Sequence, residues 1–278
     1  MIIHGQNLEP KSFNDLNGKV VLITGAGGIL GASFAKGFAA LGSKLILVDL
    51  KEDLLVKLKH QIEELIKCEI ILIPCDITCP KSVEKMMDII KEKTKTVDVL
   101  INNAASKGSN LEKFFNAFED YEIDVWKEVM NVNVDGMFLV AKNVGKLMAS
   151  NGGGNIIQIS SIYGVVAPDE RIYKGSKYLG HQINTPAVYC ASKAAVIGLT
   201  KYLSTYWASK NIRVNCVAPG GIFSEQNQVF VDNYSNRVPL QRMGNAEEIT
   251  STLIFLSSNI SSYITGQTII VDGGLTAW

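Results

Sequence analysis

The chain has 278 residues, of which 47% are hydrophobic, and its 27 basic and 27 acidic side chains leave no net charge. So apolar a composition excludes a disordered protein, and the length suits one large α/β domain. The balanced charge and the lack of any basic block argue against nucleic acid as a partner.

The sequence also bears on the compartment. Its N-terminus, MIIHGQNLEP, lacks a charged segment followed by an apolar run, and no apolar stretch reaches the ~18 residues that cross a bilayer. The five cysteines form no CxxC pair and the three histidines are widely spread, so we expect neither disulfide bonds nor a metal site. We therefore expect a cytoplasmic protein with no membrane partner.

Short apolar runs alternate with helix-like segments along the chain. After a polar leader over residues 1–16, the patterns predict strands at 19–24, 44–49, 69–74, 97–101, 155–160, 212–217 and 268–271, and helices at 29–41, 52–67, 80–93, 121–150, 189–209 and 246–257. Strands separated by helices form βαβ units with a parallel sheet between two helical layers. No linker divides residues 17–278, so the sequence predicts a single three-layer, doubly wound α/β domain of the Rossmann type.

A glycine-rich turn, TGAGGILG over residues 24–31, joins the first predicted strand to the first helix. Glycines in this position let backbone amides approach a pyrophosphate at the positive end of a helix. The turn supplies five candidate cofactor contacts, namely Gly25, Gly28, Ile29, Leu30 and Gly31.

Asp49 ends the second predicted strand and bears on the choice of cofactor. In this fold its carboxylate can accept both ribose hydroxyls of the adenosine half of NAD, and it would repel the 2′-phosphate of NADP. Its alternative role is to cap the following helix. The sequence favours NAD as the cofactor, with NADP as the less favoured choice.

Two polar segments follow the third and fourth predicted strands, at the strand ends where ligands bind in open α/β sheets. Asp76 could meet the adenine edge, or it could cap the helix that begins near Pro80. These segments supply the candidate cofactor contacts Asp76, Ile77, Asn103, Ala104 and Ala105.

A tyrosine and a lysine, Tyr189 and Lys193, lie one helical turn apart on the same predicted helix face. A phenol with a pKa of ~10 is a poor base at neutral pH, but an adjacent ammonium group favours the phenolate and brings it toward the range useful for proton transfer. Tyr173 and Lys177 have the same spacing, so the motif alone does not choose between the two pairs.

Residues 20–274 resemble a short-chain dehydrogenase/reductase. The family's segments occur here in its order: TGxxGxxG from Thr24, NNAA from Asn102, NVNVDG from Asn131, ISS from Ile159, YxxxK from Tyr189, RVN from Arg213, PGGI from Pro219 and VDGG from Val271. The segment after Lys193 is similar to the one that follows the active lysine in that family. The resemblance therefore selects Tyr189 and assigns Tyr173 to a substrate loop.

The resemblance implies four catalytic residues. Tyr189 would be the general acid/base, and Lys193 would lower its pKa and hold the nicotinamide ribose. Ser161 would hydrogen-bond the substrate oxygen, where charge develops during hydride transfer. Asn133 would anchor a water-linked proton relay to Lys193, its alternative being a capping or turn asparagine. Tyr189 and Lys193 would also contact the cofactor, as would Pro219, Gly220, Ile222 and Ser224.

The chain departs from the family pattern at its glycine turn. Ile29 stands where most single-domain members have a small residue, and the resulting spacing resembles the extended branch, which includes nucleotide-sugar epimerases. However, only 85 residues (278 − 193) follow Lys193, too few for the separate substrate domain of that branch. The resemblance therefore favours the single-domain type.

An insertion over residues 164–186 separates Ser161 from Tyr189 by 28 positions (189 − 161), about twice the interval usual in the family. Because it lies between two implied catalytic residues, we expect it to border the active-site mouth, the alternative being an exposed loop or a subunit contact. Its side chains would suit a hydroxyl-rich ligand that bears phosphate or carboxylate. They are Arg171, Tyr173, Lys174, Lys177, Tyr178, His181, Gln182 and Asn184.

Together these features predict an NAD(P)-dependent oxidoreductase that interconverts a secondary alcohol and a ketone on a sugar-like or other polar small molecule. The glycine spacing and the insertion resemble oxidoreductases of bacterial surface-sugar or flagellin-modification pathways. A nucleotide-sugar epimerase with retained NAD and a non-catalytic dinucleotide-binding sensor are the alternatives, and the presence of all four catalytic residue types favours an enzyme. The resemblance also implies a homodimer or homotetramer.

Overall fold

The protein is represented by a computed structural model, which describes residues 13–178 and 180–278; most of the predicted leader lies outside these ranges. In the described chain the main sheet has seven parallel strands: β1 (Val20–Thr24), β2 (Lys44–Asp49), β3 (Ile70–Pro74), β4 (Val99–Asn102), β5 (Gly154–Ile159), β8 (Ile212–Pro219) and β9 (Thr268–Val271). A separate antiparallel hairpin consists of β6 (Lys177–Tyr178) and β7 (His181–Gln182). The spatial order of the main sheet is β3-β2-β1-β4-β5-β8-β9.

Helices cover both faces of this sheet. In chain order they are α1 (Ile29–Ala40), α2 (Glu52–Glu63), α3 (Pro80–Lys93), α4 (Leu111–Phe114), α5 (Ile123–Met130), α6 (Met137–Ser150), α7 (Ala187–Tyr206), α8 (Gln228–Ser235) and α9 (Ala246–Ser257). One core cluster joins the sheet to α3, α6 and α7, and the other joins its opposite face to α1, α2 and α9. The predicted three-layer doubly wound fold is therefore confirmed.

The strands are nearly continuous apolar runs because helices bury both of their faces. All five residues of β1 are buried, with Leu22 in one core cluster and Val21 and Ile23 in the other. Side chains alternate across a strand, so a single short segment contributes to both cores. Among the described helices none is both long and apolar enough to span a membrane.

Most predicted element boundaries agree with the structure to within two residues. The second helix ends early, at Glu63, so Leu65, which the predicted range 52–67 includes, lies beyond it and is exposed. The predicted helix over 121–150 is interrupted by a π-helical turn, Asn131–Gly136, between α5 and α6. The sequence analysis missed α4, α8 and the hairpin, because these short elements lie outside the main sheet and carry weak periodicity.

The sheet order places the candidate site. The chain runs outward from β1 to β2 and β3, and then returns to the other side of β1 through β4 and β5. The loops after β1 and β4 therefore diverge at the carboxyl edge of the sheet and leave a crevice, which is where doubly wound folds bind ligands.

The insertion over 164–186 packs against α8. Ile172 and Tyr173 are buried in a small hydrophobic cluster with Tyr234 of α8, apart from the two sheet cores. The side-chain amide of Asn233 donates to the carbonyl oxygen of Ile172 at 3.2 Å, and that of Asn227 donates to Lys177 at 2.7 Å. The insertion and α8 thus form one packed layer above the carboxyl edge of the sheet.

Candidate active site

The glycine turn between β1 and α1 is packed too closely for larger residues at two positions. Gly25 has a φ of +63°, and a Cβ there would lie 2.8 Å from the Cα of Ala104. A Cβ on Gly31 would lie 2.2 Å from the carbonyl oxygen of Gly25. The side chain of Asn103 donates to the carbonyl oxygens of Thr24 and Gly25, at 3.0 and 3.2 Å, and fixes the turn against the end of β4.

The N-terminus of α1 fits a phosphate group. The N-cap of this helix is Gly28, which has no side chain to cap the helix. The first backbone amides of an α-helix also lack partners within the helix. Ile29 and Leu30, the first two helical residues, line a cavity at this edge of the sheet. Backbone amides in this position can hold an anion such as the pyrophosphate of a dinucleotide.

Asp49 lies against the same turn. Its Oδ2 accepts a hydrogen bond from the amide of Gly27 at 3.0 Å, and its Oδ1 accepts one from Lys51 at 3.1 Å. The N-cap of α2 is Lys51, so Asp49 braces the glycine turn and does not cap the helix from that position. A carboxylate has about four acceptor sites. It therefore keeps capacity for ribose hydroxyls, and the turn with its carboxylate fits an adenosine dinucleotide.

Asp76 and Ile77 have mainly structural contacts. Oδ1 of Asp76 accepts from the backbone amide and the hydroxyl of Thr78, at 2.9 and 2.7 Å, in a turn that precedes α3. Asp76 is exposed, and the N-cap of α3 is Cys79, so the capping alternative is wrong in its detail. Ile77 is buried and packs against Gly136 of the π-helical turn.

Helix α7 holds the tyrosine and the lysine together. The Nζ atom of Lys193 lies 5.8 Å from the ring centroid of Tyr189 and donates to the carbonyl oxygen of Ile159, at the end of β5, at 3.0 Å. Lys193 is only 3% exposed, and burial lowers its pKa to about 8. The amine thus still carries its charge at neutral pH, although at a desolvation cost.

The phenol of Tyr189 is hydrogen-bonded to Ser161. Burial raises the pKa of Tyr189 above its usual value, and the bond to Ser161 opposes that rise. The role of Lys193 in lowering this pKa stays a prediction, because burial is the largest influence on the phenol in this structure. The neighbouring Ser160 donates its hydroxyl to the carbonyl oxygen of Lys193 at 2.7 Å. Of the two serines, Ser161 is the one that contacts the phenol.

Asn133 lies on the π-helical turn and is fully buried. Its Oδ1 accepts from the amide of Ser106 at 2.8 Å, and its Nδ2 donates to the hydroxyl of Ser192 at 3.3 Å. This side chain therefore links the loop after β4 to α7 beside Lys193, and it caps no helix end. π-helical turns recur at functional sites because they displace residues from regular helical register.

A cavity of about 520 Å³ opens above Tyr189. Eleven of the predicted site residues line it: Ile29, Leu30, Asn103, Ala105, Ser161, Tyr189, Lys193, Pro219, Gly220, Ile222 and Ser224. The other predicted residues are not part of its wall: Gly25, Gly28, Gly31, Asp49, Asp76, Ile77, Ala104 and Asn133. The structure thus brings three of the four implied catalytic residues and the first two residues of α1 to one crevice.

The wall also contains residues that the sequence analysis did not identify. Among them are Lys107, Tyr163, Thr185, Phe230 and Tyr234. Burial lowers the pKa of Lys107 and raises that of Tyr163. Phe230 and Tyr234 are spaced by four residues, so the sequence could have indicated an aromatic helix face. Nothing in one sequence shows that this helix, α8, lies over the crevice.

The charged side chains of the insertion lie outside the cavity wall. Arg171 is 85% exposed at its side chain and forms an ion pair with Asp169, and Lys174 and Lys177 are exposed. From the insertion's predicted ligand-facing residues, Tyr173 and Asn184 line the cavity. The expectation that these cations face the ligand is therefore wrong, because the insertion folds with its phenol and amide inward. Leu179 and the side chain of Tyr178 lie outside the described parts of the chain.

Two family models match the chain. The short chain dehydrogenase model covers residues 19–184, and the model described as an enoyl-(acyl carrier protein) reductase covers residues 178–276. The matches together span almost the whole sheet and both segments that carry the implied catalytic residues.

Curated relatives match over nearly their full length. The chain is 33% identical to an NAD-dependent glycerol dehydrogenase from Listeria innocua, with 96% of each chain covered. It is 30% identical to a galactitol 2-dehydrogenase from Cereibacter sphaeroides, over 95% of this chain and 97% of the relative. A post-translational flagellin modification protein from Campylobacter coli is 31% identical over 93% of this chain and 98% of the relative.

A solved structure agrees with the same assignment. The short-chain dehydrogenase from Leptospira borgpetersenii with bound NAD⁺ superposes with a TM-score of 0.82 at 33% identity, covering 98% of this chain and 99% of that one. The chain belongs to the short-chain dehydrogenase/reductase family and is an NAD(P)-dependent oxidoreductase that acts on CH–OH groups.

Proposed function

We propose that this enzyme is an NAD-linked dehydrogenase that oxidises a secondary hydroxyl group of a small neutral polyol. The observation that carries the proposal is the cavity above Tyr189, whose insertion side is lined by the hydroxyl-bearing residues Tyr173 and Thr185. Polar groups in a partly apolar pocket fix the orientation of a ligand. Two relatives named for glycerol and galactitol dehydrogenation support this substrate class.

In this proposal, bound NAD supplies the hydride acceptor at its nicotinamide ring. Ser161 hydrogen-bonds the substrate oxygen, and the phenol oxygen of Tyr189 takes the hydroxyl proton in oxidation or returns it in reduction. Lys193 holds positive charge close to that phenol and offers donors to the nicotinamide ribose. Asn133 positions the helix that carries Lys193, through its bond to Ser192.

The preference for NAD rests on Asp49. The carboxylate beside Gly27 would accept ribose hydroxyls and repel a 2′-phosphate at the same place. The remaining contacts proposed for the cofactor are the glycine turn, Asp76 and Ile77, Asn103–Ala105, and the segment after β8 that contains Ile222 and Ser224. Titration with NADH and NADPH tests this preference, and tighter binding of NADPH would contradict it.

We also propose a homodimer or homotetramer in the cytoplasm. Phe138 of α6 and Tyr202 and Tyr206 of α7 are exposed around a groove, and the two tyrosine rings stack at 5.7 Å. Exposed apolar patches of this kind mark protein interfaces. The five free thiols suit a reducing compartment. Light scattering that returned a monomer at micromolar concentration would contradict the assembly.

Activity is tested by the absorbance of NADH during incubation with NAD⁺ and a panel of polyols, sugars and nucleotide sugars. NADH formation on polyols that disappears in Tyr189→Phe supports the proposal. Conversion of a nucleotide sugar without net NADH would instead indicate the epimerase. Binding of NADH without turnover of any compound would indicate the sensor.

A further inference from the structure

Three hydroxyl groups form a chain along one part of the cavity wall. The phenol of Tyr173 donates to the phenol oxygen of Tyr163 at 3.3 Å, and it is also hydrogen-bonded to the hydroxyl of Thr185. All three residues line the cavity that contains Ser161 and Tyr189. Two of the three come from the insertion, so this arrangement belongs to the part of the chain that departs from the family pattern.

The chain of hydroxyls has hydrogen-bonding capacity left for a ligand. Three hydroxyls carry three protons, and the two contacts inside the chain consume two of them. One proton and several lone pairs therefore remain for a group in the cavity. Burial raises the pKa of both Tyr163 and Tyr173, so both phenols are neutral at physiological pH. Neutral donors and acceptors match alcohols better than anions.

Asn184, next to Thr185, anchors this part of the wall. Its Nδ2 donates to the carbonyl oxygen of Phe115 at 2.9 Å, which sets the orientation of the amide. Its Oδ1 is buried and has no hydrogen-bond partner in the described structure. Because that oxygen is closed off from the cavity, Asn184 fixes the wall, and the hydroxyl chain is what offers hydrogen bonds to a ligand.

Packing holds this wall in place. The ring of Tyr173 stacks on Phe230 of α8, with centroids 5.8 Å apart. The amide of Asn233 donates to the carbonyl oxygens of Ile172 and Lys174 on either side of Tyr173, at 3.2 and 3.3 Å. A hydroxyl fixed by its own ring and backbone needs little ordering when it binds a ligand.

We propose that Tyr163, Tyr173 and Thr185 form a subsite for a second hydroxyl group of the substrate, beside the one that reacts. This subsite would make the enzyme select neutral polyols over alcohols with a single hydroxyl. The inference rests on the proposed function, because it needs a polyol whose reacting carbon lies at Ser161 and Tyr189.

The test compares glycerol with isopropanol, which is glycerol without its two flanking hydroxyls. The variants are Tyr173→Phe, which keeps the ring on Phe230, and Thr185→Val, which keeps the shape of the side chain. Tyr263→Phe removes a fully exposed phenol outside the cavity and is the matched control. For each protein the ratio of kcat/KM on glycerol to kcat/KM on isopropanol is measured, together with NADH affinity by fluorescence.

Losing one neutral hydrogen bond should lower that ratio by about 3- to 10-fold in Tyr173→Phe and in Thr185→Val, with NADH affinity retained. Glycerol should also protect the wild-type NADH complex against heat more than it protects the Tyr173→Phe complex. An unchanged ratio in both variants, in an enzyme that oxidises glycerol, would overturn the subsite but leave the proposed function standing.

Two further outcomes concern the ligand class. If the wild-type enzyme binds NADH but oxidises neither glycerol nor longer polyols, the proposed function and the subsite both fail. If glycerol phosphate is oxidised far better than glycerol, and the variants leave this preference unchanged, the substrate is anionic. The neutral subsite would then be wrong, and Lys107, a lysine of the wall outside the implied catalytic set, would be the residue to replace.

Discussion

Replacing Lys193 by methionine should stabilise the fold while abolishing activity. The ammonium is 3% exposed, and burial lowers its pKa to about 8 from 10.5. A shift of roughly 2.5 units corresponds to about 3 kcal/mol of unfavourable free energy for the charged form at neutral pH. Methionine cannot replace the hydrogen bond to the carbonyl oxygen of Ile159, and an acceptor left without its partner costs about 1–3 kcal/mol. We therefore expect Lys193→Met to raise the free energy of unfolding by about 1 kcal/mol near pH 7.

The pH dependence separates this effect from ordinary repacking. The folded state binds its lysine proton less tightly than the unfolded state, so the wild-type protein gains stability from this group as pH rises from about 8 toward 10.5. The free energy of unfolding of the variant relative to the wild-type protein should therefore fall by about 2 kcal/mol in total between pH 7 and pH 10. The variant is then the more stable protein at pH 7 and the less stable one at pH 10. Denaturant unfolding at both pH values measures it, with Lys201→Met, an exposed lysine on the same helix, as the control.

A variant less stable than the wild-type protein at neutral pH, with a difference that does not change toward pH 10, would refute this reasoning. It would show that the hydrogen bond to Ile159 outweighs the desolvation of the ammonium. Retained turnover in Lys193→Met would separately contradict the role proposed for this residue.

Three further predictions address the site. Tyr189→Phe should lower kcat by about 10²- to 10⁴-fold with NADH affinity retained. The same loss in Tyr173→Phe would show that the wrong tyrosine is assigned. Because burial raises the pKa of Tyr189, the rate of oxidation by the wild-type enzyme should also increase as pH rises above neutral. Asp49→Asn should lower the ratio of NADH affinity to NADPH affinity by about tenfold or more, because the carboxylate no longer repels the 2′-phosphate. An unchanged ratio in binding titrations would show that Asp49 does not select the cofactor. Gly31→Ala should destabilise the fold and weaken NADH binding, since its Cβ would lie 2.2 Å from the carbonyl oxygen of Gly25. Gly198→Ala has open space around its Cβ and should raise the free energy of unfolding by about 0.5–1 kcal/mol. Thermal unfolding of both variants tests this difference.

The sequence determined the fold class and the order of its elements. Strands such as β1 are apolar throughout because both faces are covered, and that pattern with alternating helices allows few other architectures. The glycine turn was also readable, since the close approach of Gly31 to Gly25 tolerates no side chain. The YxxxK spacing placed two groups on one helix face, but the choice of Tyr189 over Tyr173 needed the family resemblance.

Only the tertiary structure decided which side chains of the insertion face the cavity. In sequence, Arg171, Tyr173 and Asn184 all carry polar groups, and nothing in their spacing shows which of them points inward. The packing of Tyr173 on Phe230 and the ion pair of Arg171 with Asp169 turn the phenol toward the crevice and leave the cation in solvent. The pKa of Tyr189 was likewise fixed by long-range packing, because the burial that raises it comes from elements far apart in the chain. Local sequence encodes periodicity and turns, whereas burial and electrostatics depend on contacts between distant segments.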